Sequence, residues 1–455
     1  MADETASRSS QEGVAAPEVA VPGLILVFSG AEPHLAAAAL GREPLTLGRD
    51  DVLGLKLGDS RLSRRHAQLR FDRGLFHVRD LESRNGTFVD GERVSCERQV
   101  PAGTLRLGDT LLLLREDVRP FLAGTLERVD GAVIGPTLRA AWRTIAAVAA
   151  EGGCIHVSGE TGTGKELAAH HFHDSTGRKS GPMVAVNCSA LSPALAERLL
   201  FGTRKGAYSG AETDAIGYVQ AASGGTLFLD EVAELDLSVQ AKLLRVLEQR
   251  EVLPLGATRP VAVDLRVCSA THRNLGDEVA RGRFREDLYY RLGLPEVHIP
   301  PLRARREELP YLMQAIVGRA PGGLGCHASL VEAVLLRAWP GNVRELEKRL
   351  VEASRVARAQ GDPCVRAVHL GEAGLVPEQE SRPLESTTGV IAEPAQQDRP
   401  PRRLRTGPAS ERAIIVRALE DAAGNQTRAA EALGISRRTL VTRLGKHKIK
   451  RPLRG

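Results

Sequence analysis

The chain has 455 residues, 42% of them hydrophobic and 26% charged, with a formal net charge of +6. That length is too great for one ordinary core and implies about three domains of soluble, globular composition. The six cysteines lie far apart with no C-x-x-C pair, which argues against a zinc site or disulfide framework and fits reduced thiols. The N-terminus carries Asp3 and Glu4 without an apolar core, and no run of about twenty apolar residues occurs. A cytoplasmic protein without a membrane segment is expected.

Residues 1–20 are small and polar, the composition of a disordered segment. From Leu24 to Leu114 the chain reads as short strands: 24–28, 45–47, 66–71, 75–78, 87–89 and 110–114. Gly, Asp and Asn separate them, which predicts a β-sandwich. A linker follows, and from Ala132 to Leu375 strands and helices alternate, predicting an α/β layer with a helical appendage. Residues 376–408 carry Pro383, Pro394, Pro400, Pro401 and Pro408 and read as a flexible linker. A compact helical piece closes the chain.

The α/β segment holds the most specific chemistry. An apolar strand, 154–157, leads into Gly159, Glu160, Thr161, Gly162, Thr163, Gly164 and Lys165, and a helix-like stretch follows. Glycines at this spacing let backbone N–H groups converge on phosphate oxygens, and Lys165 adds a cation near the β- and γ-phosphates. Glu166 stands where a Mg²⁺-binding Ser or Thr usually sits. Further on, the apolar stretch 226–229 ends in Asp230 and Glu231, suited to Mg²⁺ binding and water activation respectively. In the next helix Val239, Leu243, Val246 and Leu247 share one face, which is core packing. His170, His171 and His173 invite a metal reading, but no partner carboxylate or cysteine pair follows them.

These motifs, in this order, resemble the AAA+ ATPase domain of sigma-54-dependent transcription activators, the NtrC-type enhancer-binding proteins. In that family the phosphate loop also carries Glu at the position of Glu166. The family's sigma-54-contacting loop, GAFTGA, is matched by Gly206, Ala207, Tyr208, Ser209, Gly210 and Ala211, with Tyr for Phe and Ser for Thr. Thr203 stands where the family has His. The resemblance implies that Asn187 senses the γ-phosphate by switching its contact with the catalytic Glu231. It implies that Thr271 is the polar sensor I residue, that Arg285 and Arg291 are arginine fingers, and that Arg344 is the sensor II arginine. Fingers of that kind act across a subunit boundary, so a hexamer or heptamer is implied. In related phosphoryl-transfer systems a finger is worth roughly 10³–10⁵ in rate.

The N-terminal segment, 21–116, resembles a forkhead-associated (FHA) domain through Gly48, Arg49, Ser63, Arg64, His66, Asn85 and Thr87. Members of that family bind phosphothreonine peptides, and Arg49, Ser63, Arg64 and Asn85 match the phosphate-holding roles, with Arg84 a further candidate. His66 reads as loop-shaping. This domain stands where many such activators carry an aspartate-phosphorylated receiver, so the input implied is a Ser/Thr kinase. The ligand could belong to another protein or to this chain, at Thr387 or Thr388. Residues 117–131 are the expected linker, and 132–375 the ATPase domain.

At the C-terminus, 409–455, the spacing predicts three helices: one with Ile414, Ile415, Ala418, Leu419 and Ala422 on its apolar face, a second capped by Asn425 and running through Leu433, and, after a turn at Gly434, a third capped by Ser436. This helix-turn-helix resembles the Fis-type domain common in the same activators. Arg437, Arg438 and Thr442 are the expected major-groove residues, and Lys446 a phosphate contact. The leading reading is a sigma-54-dependent activator using ATP and Mg²⁺, bound to enhancer-type DNA and governed by a phosphothreonine protein. The alternative is a phosphoprotein-sensing DNA-binding regulator that does not engage sigma-54. The helix-turn-helix disfavours a stand-alone ATPase chaperone.

Overall fold

A computed structural model describes residues 20–49, 59–129, 132–207, 212–319 and 323–371. The expectations for residues 1–19, for Tyr208, Ser209, Gly210 and Ala211, for 376–408, and for the helix-turn-helix with Arg437, Arg438, Thr442 and Lys446 lie outside the described residues.

The N-terminal strands are β1 (Gly23–Ser29), β2 (Glu32–Ala39), β3 (Leu45–Leu47), β4 (Ala67–Asp72), β5 (Leu75–Asp80), β6 (Thr87–Val89), β7 (Glu92–Arg93), β8 (Glu97–Val100), β9 (Gly103–Leu107) and β10 (Thr110–Arg115). They form two antiparallel sheets, in the orders β2-β1-β10-β9-β6-β7 and β3-β4-β5-β8. Leu24, Leu26, Leu112 and Leu114 fill the space between the sheets with Leu69, Phe76 and Leu105. Strand β2, whose second half is a run of alanines, was not anticipated, because alanine carries little strand propensity. It is held by pairing along β1, from Gly23 opposite Ala39 to Ser29 opposite Glu32.

Both faces of β1 and β10 are covered. Ile25, Val27, Leu111 and Leu113 point away from the sandwich into a second core, shared with Met313, Val317, Val331, Val334 and Trp339 of the helical appendage. This explains why both strands read as continuous apolar runs rather than the alternation of a half-exposed sheet. The segment expected to be a linker contributes to the same core. Its helical turn α1 (Arg119–Leu122) is anchored by buried Phe121 and preceded by buried Val118, and β11 (Glu127–Val129) then pairs with β12 (Ala132–Ile134). Two apolar side chains turned inward make this stretch a packed bridge, whatever its boundaries.

The α/β layer begins with α2 (Pro136–Glu151), opened by Pro136 and closed at Gly152, whose φ is 79°. Then come β13 (Ile155–Ser158), α3 (Lys165–Ser175), β14 (Met183–Asn187), α4 (Pro193–Phe201), α5 (Tyr218–Ala221), β15 (Thr226–Asp230) and α6 (Leu237–Gln249). The hairpin β16 (Glu251–Val252) and β17 (Val261–Ala262) precedes β18 (Arg266–Thr271), α7 (Leu275–Ala280), α8 (Glu286–Leu292) and β19 (Glu296–His298). Strands β14-β15-β18-β13-β19 form one parallel sheet. Residues 226–229 are fully buried, as a parallel sheet flanked by helices on both faces requires. The Asp236 side chain caps α6 through the Ser238 N–H, and Val239, Leu243, Val246 and Leu247 are all buried. The appendage consists of α9 (Leu309–Arg319), β20 (Gly325–Cys326), α10 (Ala328–Leu335), α11 (Asn342–Ala359) and β21 (Cys364–Val365).

Candidate functional site

Carboxyl ends of the parallel strands converge on one edge of the sheet, the usual place for a ligand in such folds. Register sets Ser158 beside Thr271 and Asn187 beside Asp230. From β13 the chain turns through 159–164 into α3, with φ of 79° at Gly162 and 103° at Gly164. A Cβ on Gly162 would meet the Gly341 carbonyl oxygen at 2.3 Å, so glycine is required twice over there. No side chain caps α3 at its N-terminus, which leaves first-turn N–H groups open to an anion. Lys165 Nζ donates to the carbonyls of Gly159 (2.9 Å) and Glu160 (3.3 Å) and lies 3.9 Å from Glu231 Oε1. Burial lowers its pKa, against the pull of Glu231 and Asp230.

The two acids at the end of β15 differ sharply. Glu231 has φ 53° and ψ 48°, the left-handed region, which for a non-glycine costs on the order of 1–3 kcal/mol. That turn aims its carboxylate at the end of β18. Oε2 accepts from Thr271 Oγ1 (3.0 Å) and the His272 N–H (3.3 Å), and meets His272 Nδ1 at 2.8 Å. Burial works against the Glu231 charge most strongly, but His272 and Lys165 together hold the carboxyl below its ordinary range. For Asp230 the balance is reversed: burial first, then the neighbouring Glu231 charge, push its pKa up. Two adjacent carboxyls moved in opposite directions are a common signature of divided roles.

A cavity of about 360 Å³ joins these groups, lined by Thr161, Gly162, Gly164, Lys165, Glu166, Asn187, Asp230, Glu231 and Arg344 among others. Most of the residues read from the phosphate loop, the acid pair and sensor II thus line one cavity. The Asn187 Oδ1 accepts from the N–H (3.0 Å) and hydroxyl (2.7 Å) of Ser189. In this structure the hydrogen bonds of Glu231 come from Thr271 and His272 instead. Arg285 and Arg291 do not line the cavity. Arg285 pairs with Asp287 through Nε (3.0 Å) and Nη2 (2.7 Å), and Arg291 Nη2 donates to the Leu247 carbonyl at 3.4 Å.

Four residues around the site escaped the sequence reading. Asn342 is fully buried at φ 50°. Its Nδ2 donates to Glu160 Oε2 and the Thr161 carbonyl, both at 3.1 Å, while Oδ1 accepts the Leu302 N–H at 2.8 Å. Arg303 grips Glu160 at 2.9 and 2.6 Å, and Arg305 Nη2 donates to the Thr163 carbonyl at 2.6 Å. His272 is the fourth. The appendage, through Asn342, and the segment leading into it, through Arg303 and Arg305, therefore hold the phosphate loop at three points. Only the position of Asn342, two residues before Arg344, hinted at any of this. Of the three histidines on α3, His171 stacks on Trp142 and His173 bonds Thr226 Oγ1 from a buried position.

The loops at one end of the sandwich form a second cluster. Arg49 is exposed; its Nε donates to the Leu62 carbonyl at 2.9 Å. Ser63 Oγ accepts the Arg84 N–H (3.1 Å), and Asn85 Nδ2 donates to the Arg61 carbonyl (2.7 Å). Arg64, Arg84 and Asn85 are exposed. His66 is fully buried: Nδ1 accepts the Ser63 N–H at 3.1 Å and Nε2 bonds the Gly86 carbonyl at 3.1 Å. Burial lowers its pKa, consistent with a neutral ring that ties two loops together. A Cβ at Gly48 would strike the Arg64 carbonyl at 1.9 Å, which explains glycine beside Arg49.

Comparison with known proteins joins these observations. Residues 133–298 match the Sigma-54 interaction domain, 45–113 the FHA domain, and 408–447 the Fis family of bacterial regulatory proteins. The chain is 40% identical over 326 residues to the response regulator protein PilR of Pseudomonas aeruginosa, covering 70% of each chain. It is 38% identical over 325 residues to the DNA-binding transcriptional regulator NtrC of Escherichia coli, covering 68% of each. The chain belongs to the sigma-54-dependent transcriptional activators. A crystal structure of NtrX from Brucella abortus in complex with ATP is similar at 30% identity, with a TM-score of 0.48 over 68% of this chain and 67% of that one. In this activator an FHA β-sandwich precedes an AAA+ α/β domain. Among the described residues no helix is long and apolar enough to cross a membrane.

Proposed function

We propose that this activator hydrolyses ATP in a ring of six or seven copies and uses the cycle to remodel the sigma-54 polymerase holoenzyme at promoters, under control of phosphothreonine recognition by its FHA domain. The observation that carries the reading is the single cavity holding Lys165, Asp230, Glu231 and Arg344, with Arg285 and Arg291 outside it. Lys165 and the open N-terminus of α3 attract the triphosphate, and Arg344 adds a second cation from the appendage. Glu231, held ionised by His272 and Lys165 and oriented by the Thr271 hydroxyl, is the group to orient and deprotonate water. Arg285 and Arg291 are exposed to a neighbouring protomer's phosphates only if copies assemble.

Mg²⁺ fits the residues present. Such ions usually take one or two carboxylates plus phosphate oxygens, and Asp230 stands on the cavity wall close enough to feel the Glu166 charge. Asp230 would hold the ion, which when bound neutralises phosphate charge. Asn187 and Thr271 flank the acids as nucleotide-state sensors, and the loop from Gly206 to Ala211 is the element offered to sigma-54. In the FHA domain Arg49, Ser63, Arg64, Arg84 and Asn85 surround the proposed phosphate position. The C-terminal domain, through Arg437, Arg438, Thr442 and Lys446, would hold enhancer-type DNA.

Open-complex formation on a supercoiled sigma-54 promoter tests the reading. It should require ATP, and Gly210→Ala should abolish it while leaving ATP turnover measurable. Promoter opening without ATP, or unaffected by Gly210→Ala, would defeat the proposal.

A further inference from the structure

The FHA domain is not merely tethered to the ATPase domain; its outer sheet face is half of a shared core with the appendage. At the edge of that core a line of buried charges runs on toward the phosphate loop. Arg115, the last residue of β10, brings Nη2 to 4.0 Å from Glu307 Oε2. Both atoms are buried, and neither has a hydrogen-bond partner among the described residues. The other oxygen of Glu307 accepts from Thr137 Oγ1 at 2.5 Å. Next to it, Glu308 accepts the Gly135 N–H at 2.8 Å and pairs with Arg305 Nη1 at 3.2 Å. Arg305 then donates to the Thr163 carbonyl of the phosphate loop at 2.6 Å. Glu307 and Glu308 are fully buried, and Arg305 is 3% exposed.

Burial raises both carboxyls, and one interior cation, Arg305, serves the two of them; a second cation is what lets Glu307 keep its charge. Arg115 supplies it from the FHA domain. Without it, Glu307 would have only Arg305 to turn to, and Arg305 keeps a spare buried donor, Nε, with which to respond. Every such turn would weaken its hold on Thr163. An uncompensated interior charge is costly enough to force that rearrangement.

We propose that Arg115 is a positioning residue for the nucleotide cavity: by neutralising Glu307 it keeps Arg305 on the phosphate loop, so that the FHA domain is a working part of the ATPase. This rests on reading the cavity as a nucleotide site. FHA engagement and nucleotide binding would then be coupled reciprocally, since each senses the same buried contact.

A double-mutant cycle read by fluorescent ADP binding to the full chain tests it. Arg115→Met should weaken ADP about tenfold. Arg106→Met removes an ion pair on the same FHA face, to Glu332, with no link to the phosphate loop, and should change ADP affinity less than about twofold. Adding Glu307→Gln to Arg115→Met removes the stranded charge and should restore affinity to within about twofold of the parent. If Arg115→Met does not fold, Arg115→Gln, which also removes the charge, replaces it: ADP should weaken with Glu307 present and not with Glu307→Gln. Unchanged ADP affinity in the Arg115 variants, or a double variant as weak as the single, would overturn the proposal. Failure of the parent protein to bind ADP would instead remove the nucleotide reading, and this inference with it.

Discussion

Replacing Asn342 with Asp separates what its two side-chain atoms do. The change keeps Oδ1 for the Leu302 N–H at 2.8 Å but removes the donor that meets Glu160 Oε2 and the Thr161 carbonyl at 3.1 Å. Losing the bond to an ionised carboxylate costs about 1.5–3 kcal/mol, and losing the carbonyl bond about 0.5–1.5 kcal/mol. The new carboxylate also faces Glu160 at that distance, where two charges at an effective dielectric of about 20 repel by about 5 kcal/mol. Part of this is relieved when the chain shifts or a proton binds, so a net loss of about 3–5 kcal/mol is expected. Trp142 and Trp339 are the two tryptophans, one buried in the α/β core and one in the appendage core, so urea unfolding followed by fluorescence reports both. The introduced carboxyl has a folded-state pKa raised above its unfolded value by Glu160. Its contribution is favourable at low pH and lost as pH rises through that folded value, so the deficit should shrink between pH 7 and pH 5. A variant within about 1 kcal/mol of the parent at pH 7, or with the same deficit at both values, would refute this account of Asn342.

Three further outcomes follow from the geometry. Burial pushes the Glu308 carboxyl up to about 7, so its contribution is present below about pH 4.5 and lost as pH rises through 7; Glu308→Gln should flatten that part of the stability–pH curve, a change of about 3 kcal/mol. Glu231→Gln should lower kcat for ATP by about 10²–10⁴-fold while ADP affinity stays within about threefold, measured by phosphate release and fluorescent ADP binding. Arg49→Ala should weaken binding of a phosphothreonine peptide library to the full chain by about tenfold or more, with no change for the unphosphorylated library.

The local geometry of the cavity was legible in its residues. Glycines at 162 and 164 followed by Lys165 define a phosphate loop because backbone conformation depends on immediate neighbours. An apolar strand ending in Asp230 and Glu231 announces carboxylates at a sheet edge for the same reason. The strand runs at 24–28 and 110–114 marked the sandwich, and their unbroken apolarity already exceeded what one covered face demands. What covers the second face was not written there. Arg106 meets Glu332 across 226 positions, and Arg115 meets Glu307 at the same junction. Likewise only the folded chain shows that Glu231 is held by His272, that Asn342 is buried, and that Asn187 bonds Ser189. Local spacing governs turns, caps and loops, but burial and long-range pairing depend on which distant segments close over a surface. No stretch read by itself contains that information.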